Sequence, residues 1–279
     1  DKILIGTSIV PGQRLDVQRA AVESWLSLGF KVVSFNHRGE IARLDEFNRD
    51  FPDLEFIPLE RTAMLLANRP VPYISDMIGY FKSTTLPISG IINSDIIFDQ
   101  NPDLEGFVRQ QAAEGFFYGA RLDVASLDAT VSRPDPYGFD YFFFPPDMNR
   151  VWPESHFCLG MPFWDHWFPL MPLLAGHAMR KPAAPIARHA DHEVSRDDSF
   201  FMFSDEFTSL CVTLMSGGET NFGDDFAWGN YAALRLRAQQ DGGDETERMA
   251  RLTALAEYFD SLTRYVIAYL DRNTEKVSL

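Results

Sequence analysis

The chain has 279 residues, 46% hydrophobic and 23% charged, which excludes intrinsic disorder and gives enough apolar mass for one large domain or two small ones. Its 40 acidic residues outweigh 25 basic ones for a net charge of -15, so a nucleic-acid partner is not expected, and a phosphate-bearing ligand needs local positive charge such as a bound divalent cation. Two cysteines, Cys158 and Cys211, make no disulfide framework and fit a reducing compartment, and no apolar stretch is long and charge-free enough to span a bilayer.

The chain opens on KILIGTSIV (2–10) without a leader or an initiator methionine. It is therefore expected in the cytoplasm, free or peripheral to a membrane, alone or as part of a longer chain. This run is apolar and β-branched, as a buried strand is, and PGQ ends it. RLDVQRAAVESWLSLG then carries helical spacing through Leu15, Ala20, Val22, Trp25, Leu26 and Leu28; Gly29 closes the helix, and FKVVSFN reads as a second strand. A strand, helix, strand unit is the usual source of a parallel sheet. Next come a helix-like EIARLDEFNRDF, a strand at LEFIPL, a helix at YISDMIGYFKSTT and a strand at ISGII. The predicted class is α/β, with a Rossmann-like, doubly wound, mainly parallel sheet.

In such sheets ligands bind beyond the carboxyl ends of strands, which selects Thr7, Ser8, Asn36 and the triplet Asn93-Ser94-Asp95. Any strand meeting a loop also ends on polar residues, so recurrence at three strand ends says more than any one of them. In GIINSDIIF the triplet lies between apolar runs, where an unpaired Asp95 is costly. A hard cation bridging phosphate oxygens and a simple Asx turn both meet that pattern. From residue 130 the sequence is rich in Pro and aromatics and reads as ordered loops and short strands over a binding face. His156, His166, His177, His189 and His192 fall within or shortly after this stretch. Tyr141, Trp152, Trp164 and Trp167 offer flat rings for sugar faces or for a core. Beyond residue 200, SDEFTSLCVTLM reads as a helix and GGETNFGDDFAWGN as a loop. DETERMARLTALAEYFDSLTRYVIAYL reads as a long amphipathic helix striped by Met249, Leu252, Ala256, Phe259, Leu262, Val266 and Leu270. The expected division is a first domain over 1–200, which carries the strand-end residues, and a mainly helical extension over 201–279, packed on it or used to pair with a second copy.

The ordered set GTS, SWLSLGF, VVSFN and INSDI resembles bacterial GT-A glycosyltransferases carrying an NSD variant of the DxD motif, over residues 1–200. The resemblance implies a GT-A fold and a nucleoside diphosphate sugar donor of the UDP or GDP type. It also implies a saccharide or glycan hydroxyl as acceptor, an inverting reaction and a place in polysaccharide biosynthesis. It implies Mn2+ or Mg2+ held directly by Asp95, with Asn93 facing ribose or sugar hydroxyls. Asn in place of the motif's first acid removes one charge, and a further ligand is expected from KPAAPIARHADHEV, His189 first and His192 as the alternate. Around the donor the strand-end residues Thr7, Ser8, Asn36 and Ser94 are expected, with Arg61 as a basic residue near the sheet mouth, Trp164 as a ring for a sugar face and, by the resemblance, Asp76 as an acid upstream of the motif. In FCLGMPFWDHWF, Asp165 is implied as the base that takes the acceptor's proton, a position that also suits a helix N-cap. Two other readings stay open: a nucleotidyltransferase or sugar-nucleotide pyrophosphorylase, for which GTSIVPGQR is a poor Gly-rich phosphate loop, and an inactive sugar-binding module, which Asn93 keeps alive.

Overall fold

The computed structural model describes residues 2–135, 137–192, 198–216, 221–226, 228–240 and 242–279. Its strands are β1 (Leu4–Thr7), β2 (Lys31–His37), β3 (Glu55–Leu59), β4 (Ser89–Ile92), β5 (Ile96–Phe98), β6 (Phe116–Gly119), β7 (Leu122–Val124), β8 (Ser132–Pro134), β9 (Tyr141–Phe144), β10 (Met179–Pro182), β11 (Ala187–Ala190) and β12 (Glu275–Val277). The α-helices are α1 (Leu15–Ser27), α2 (Arg38–Ile41), α3 (Asp45–Asp50), α4 (Met64–Ala67), α5 (Ile74–Lys82), α6 (Leu104–Glu114), α7 (Trp164–Leu174), α8 (Asp198–Ser216), α9 (Tyr231–Ala238) and α10 (Glu245–Arg272).

The main sheet runs β12-β10-β6-β9-β4-β1-β2-β3, and every neighbouring pair in it is parallel except the two that β9 makes with β4 and β6. Its central strands β1, β4, β6 and β9 are buried along their whole length, as a sheet covered on both sides requires, while the outer strands β3, β10 and β12 are partly exposed. In β9, Tyr141 and Phe143 join one core with Trp25 of α1 and Val108 of α6, while Phe142 and Phe144 join the other with Phe81 of α5 and Phe168 of α7. The expected mainly parallel α/β sheet is therefore present. A smaller sheet, β5-β11-β7-β8, adjoins it. The chain passes from β4 in the large sheet to β5 in the small one through Asn93, Ser94 and Asp95, which is why a polar triplet interrupts an apolar run.

Two expectations change. The helix read over residues 40–51 is two short ones, α2 and α3, because His37 accepts from the Gly39 N–H and Glu40 reaches back to the His37 N–H. This capping box starts the first helix at Arg38. Within the Pro- and aromatic-rich stretch, α7 is a regular helix despite Pro169 and Pro172. Pro172 cannot donate to the Phe168 carbonyl four residues earlier; the indole N–H of Trp152 donates to it instead at 2.8 Å, and the two rings stack with centroids 4.3 Å apart. Trp152→Phe preserves much of the stack but orphans that carbonyl. The variant is expected to lose about 1–3 kcal/mol in urea unfolding.

Residues 201–279 hold most of α8 together with α9, α10 and β12. α10 begins at an Asp244 cap whose carboxylate accepts from the Glu247 N–H. Leu255, Phe259, Leu262, Val266 and Leu270 are buried in the same core as Phe116 and Trp164, while Met249, placed on the stripe, is 49% exposed. The stripe is thus used within the chain over the helix's C-terminal half, and β12 then closes the edge of the main sheet against β10. Among the described residues no helix is long and apolar enough to cross a membrane.

Candidate active site

Strand register brings the first group of side chains together. In the small sheet β11 lies between β5 and β7, and His189 sits opposite Ile96 on one side and Asp123 on the other. Asp95, which immediately precedes Ile96, therefore approaches one edge of the His189 ring and Asp123 the other. Nε2 of His189 is 3.1 Å from Asp95 Oδ2 and Nδ1 is 3.0 Å from Asp123 Oδ1. Nε2 of His192 stands 3.7 Å from the same Asp95 oxygen. One ligand atom each from Asp95, His189 and His192 lies within 4.8 Å of the others, so these three residues can hold a metal ion. The donor set, one carboxylate and two imidazoles, suits a first-row divalent cation. Burial opposes charge on Asp95, but the two imidazoles outweigh it and hold the carboxyl well below the ordinary carboxylate range.

Arg14 joins this cluster from the start of α1. It is one of three non-glycine residues with positive φ among the described residues (φ 44°), a conformation that costs an L side chain energy. Its guanidinium lies 3.4 Å from Asp95 Oδ2 and also donates to the Ala190 carbonyl.

The second group lines a cavity of about 560 Å³ whose wall includes Asn93, Arg121, Tyr137, Asp140, Asp165 and Asp260. Arg121 is its charge hub. It pairs with Asp140, with Asp135 at 3.3 Å and with Asp123 at 2.9 Å, and so links the cavity wall to the metal-binding cluster through Asp123 and His189. Burial pushes the Asp140 carboxyl up to about 6 against the pull of Arg121, with Asp165 and Asp135 adding repulsion. Asp165 Oδ2 accepts from the Phe139 N–H at 3.3 Å, and its Oδ1 lies 3.0 Å from Nδ1 of His166, close enough for an ion pair though off the N–H direction. Nε2 of His166 is 2.9 Å from the Tyr137 carbonyl. Burial works to lower the His166 pKa, but the Asp165 carboxylate and that carbonyl outweigh it and the pKa is raised. Asp165 is in the first turn of α7 rather than at its N-cap, which is Phe163 with φ 68°.

The remaining residues read from the sequence are placed differently. Asn93 lines the cavity, and its backbone N–H donates to the Asp140 carbonyl at 3.3 Å. Ser94 is half-buried in the turn. Thr7 and Ser8 are buried at the end of β1, and Thr7 Oγ1 has no hydrogen-bond partner among the described residues. Asn36 is fully buried and acts as a bracket: its amide donates to the Ile9 carbonyl at 2.8 Å and its Oδ1 accepts from Ser34. A donor contact through this side chain does not fit that placement. Arg61 and Asp76 meet each other in a two-pronged ion pair, with Arg61 over the Tyr73 ring, and neither lines the cavity. Trp164 touches the cavity wall but is 2% exposed, its ring edge-on to Phe142. Tyr141, Trp152 and Trp167 are likewise core residues. Burying rings of this size stabilises by about 1.5–3 kcal/mol each, so their packing rather than sugar stacking accounts for them.

Arg14, Arg121, Asp123, Asp140 and His166 were not singled out from the sequence. For Arg121, Asp123 and Asp140 the available signal was the one that marked Asp95: a charge set directly against a buried strand, as in YGARLDV and GFDYFFF.

No protein-family model matches the sequence, and no curated protein sequence does. Among solved structures the chain is similar to the mannosyltransferase PcManGT from Pyrobaculum calidifontis in complex with GDP-Man and Mn2+, at 13% identity over 98% of this chain and 86% of that one, with a TM-score of 0.44. It is also similar to S. aureus TarS 1–349, at 11% identity over 98% and 83% with a TM-score of 0.44. HddC from Yersinia pseudotuberculosis matches at 11% identity over 59% and 85% with a TM-score of 0.38.

Proposed function

We propose that this chain is a metal-dependent, inverting glycosyltransferase of the GT-A type that moves a sugar from a nucleoside diphosphate, UDP or GDP, to a saccharide hydroxyl. The observation that carries the reading is one juxtaposition. A cation-competent cluster, Asp95, His189 and His192, follows β4 at the carboxyl edge of a parallel sheet, and the Asn93 beside it opens into a cavity walled by Asp165. The first suits a diphosphate leaving group and the second an acceptor hydroxyl, the two ends of one displacement.

On this reading Asp165 takes the acceptor's proton as that oxygen bonds to the anomeric carbon and the bond from that carbon to the diphosphate breaks. His166 and the Phe139 N–H hold the carboxylate in place. Asp95, His189 and His192 would hold a divalent ion, Mn2+ or Mg2+, which would supply positive charge at the leaving diphosphate. Arg14 adds a guanidinium at the same place, in a chain whose net charge of -15 otherwise repels phosphate. Asn93 contributes a neutral donor and acceptor to the cavity wall.

The test is a melting curve in Mn2+ with and without UDP or GDP. One nucleotide is expected to raise the melting temperature only when the metal is present, by about 2.7 kcal/mol of added stability at a hundredfold excess over its dissociation constant. No shift with any nucleoside diphosphate overturns the reading.

A further inference from the structure

We infer that Asp123, itself held by Arg121, is a positioning residue that fixes the His189 ring so that Nε2 faces the metal cluster. This rests on the proposed metal-dependent reading and adds a residue to it. Asp123 and His189 are cross-strand partners on β7 and β11, so the sheet sets their separation, and the His189 side chain is only 4% exposed. The contact is between Asp123 Oδ1 and Nδ1 at 3.0 Å. His189 lies between two carboxylates, with Asp95 Oδ2 3.1 Å from Nε2; once Nε2 gives its lone pair to a metal ion the remaining ring proton is on Nδ1, where the Asp123 carboxylate accepts it and fixes the ring. The guanidinium of Arg121 donates through Nε to the same Asp123 oxygen at 2.9 Å and stops the carboxylate from swinging away. Ligating histidines are commonly oriented in this way, and loss of such a partner costs metal affinity.

The inference is read by Mn2+ affinity, from calorimetry or the EPR signal of free Mn2+, on the wild type and on Asp123→Leu and Asp123→Asn, each also in a His189→Ala background. Asp123→Leu is expected to weaken Mn2+ binding by about 10- to 100-fold. Asp123→Asn keeps an oxygen able to accept from both Nδ1 and Arg121 and is expected to lose about 3- to 10-fold. Because Asp123 acts through His189, neither substitution is expected to change affinity further once His189 is Ala. Equal losses in both backgrounds, or Asp123→Leu binding as tightly as wild type, overturn the inference. If Asp123→Leu does not fold, the Asn variant in the two backgrounds decides on the same terms. A wild type that binds no Mn2+ overturns the metal-dependent reading itself, and the inference falls with it. A wild type that binds with Asp123 indifferent overturns the inference alone.

Discussion

Asp165→Asn is expected to lower kcat by about 10²- to 10⁴-fold, the span a general base contributes, with little change in KM for the donor. The amide fills the same space but cannot take a proton. Its oxygen can still accept from the Phe139 N–H, so the loss reports chemistry rather than geometry. Folding provides the internal control. His166 has a pKa raised above its ordinary 6.5, chiefly by Asp165 working against burial. The stability from that pair is fully present below 6.5 and is lost as the pH rises through the raised value. Wild type is therefore expected to melt above Asp165→Asn at pH 6, with the gap closing toward pH 9, while the kcat deficit persists at both. A second substitution separates placement from identity. A methyl on Gly138 would stand 2.6 Å from Asp165 Oδ2, so Gly138→Ala turns the carboxylate aside without touching its chemistry. It is expected to lower kcat and, because the displaced carboxylate gives up part of its pairing with His166, to lower the melting temperature at pH 6 by no more than Asp165→Asn does. An Asp165→Asn enzyme with wild-type turnover would remove Asp165 as the base.

Much of the sheet was legible because buried strands announce themselves: LIGT, VVSFN and SGII are apolar runs bounded by turn residues, and their order with α1 and α5 makes a parallel sheet. α7 was not, since two prolines argue locally against a helix and the compensation comes from Trp152, distant enough in sequence to leave no periodic mark. The site divides in the same way. Asp95 stood out as a polar residue at a strand end, His189 and His192 as what the resemblance implied, and the structure brings the three together. The residues that support them, Asp123 and Arg121, depend on register between β7 and β11, a non-local quantity that no spacing along one strand encodes. Asn36 is the converse case. It obeys the strand-end rule, yet the loop from Ser8 to Arg14 folds over it and takes its amide into a backbone contact at Ile9.

Asp95→Ala is expected to abolish the coupling between Mn2+ and nucleotide in the melting experiment, with the affinity for Mn2+ falling more than it does in any Asp123 variant. The reason is charge. Asp95 is the sole carboxylate in a cluster whose other members are His189 and His192, and hard divalent ions take most of their binding energy from anionic oxygen. Removing it leaves two imidazoles facing Arg14, which repels a cation. Asn93→Asp tests the same logic from the other side. It restores the acid that a DxD motif has first, but residue 93 also lines the cavity with Asp140 and Asp165 and bonds through its backbone to Asp140. A further carboxylate there raises the cost of keeping Asp140 charged, already high enough to push it up to about 6 by burial. Asn93→Asp is therefore expected to tighten Mn2+ binding and, measured in the absence of metal, to lower the melting temperature at pH 8 more than at pH 5, where Asp140 carries a proton. Unchanged Mn2+ affinity in both Asp95→Ala and Asn93→Asp would remove the metal from this end of the sheet.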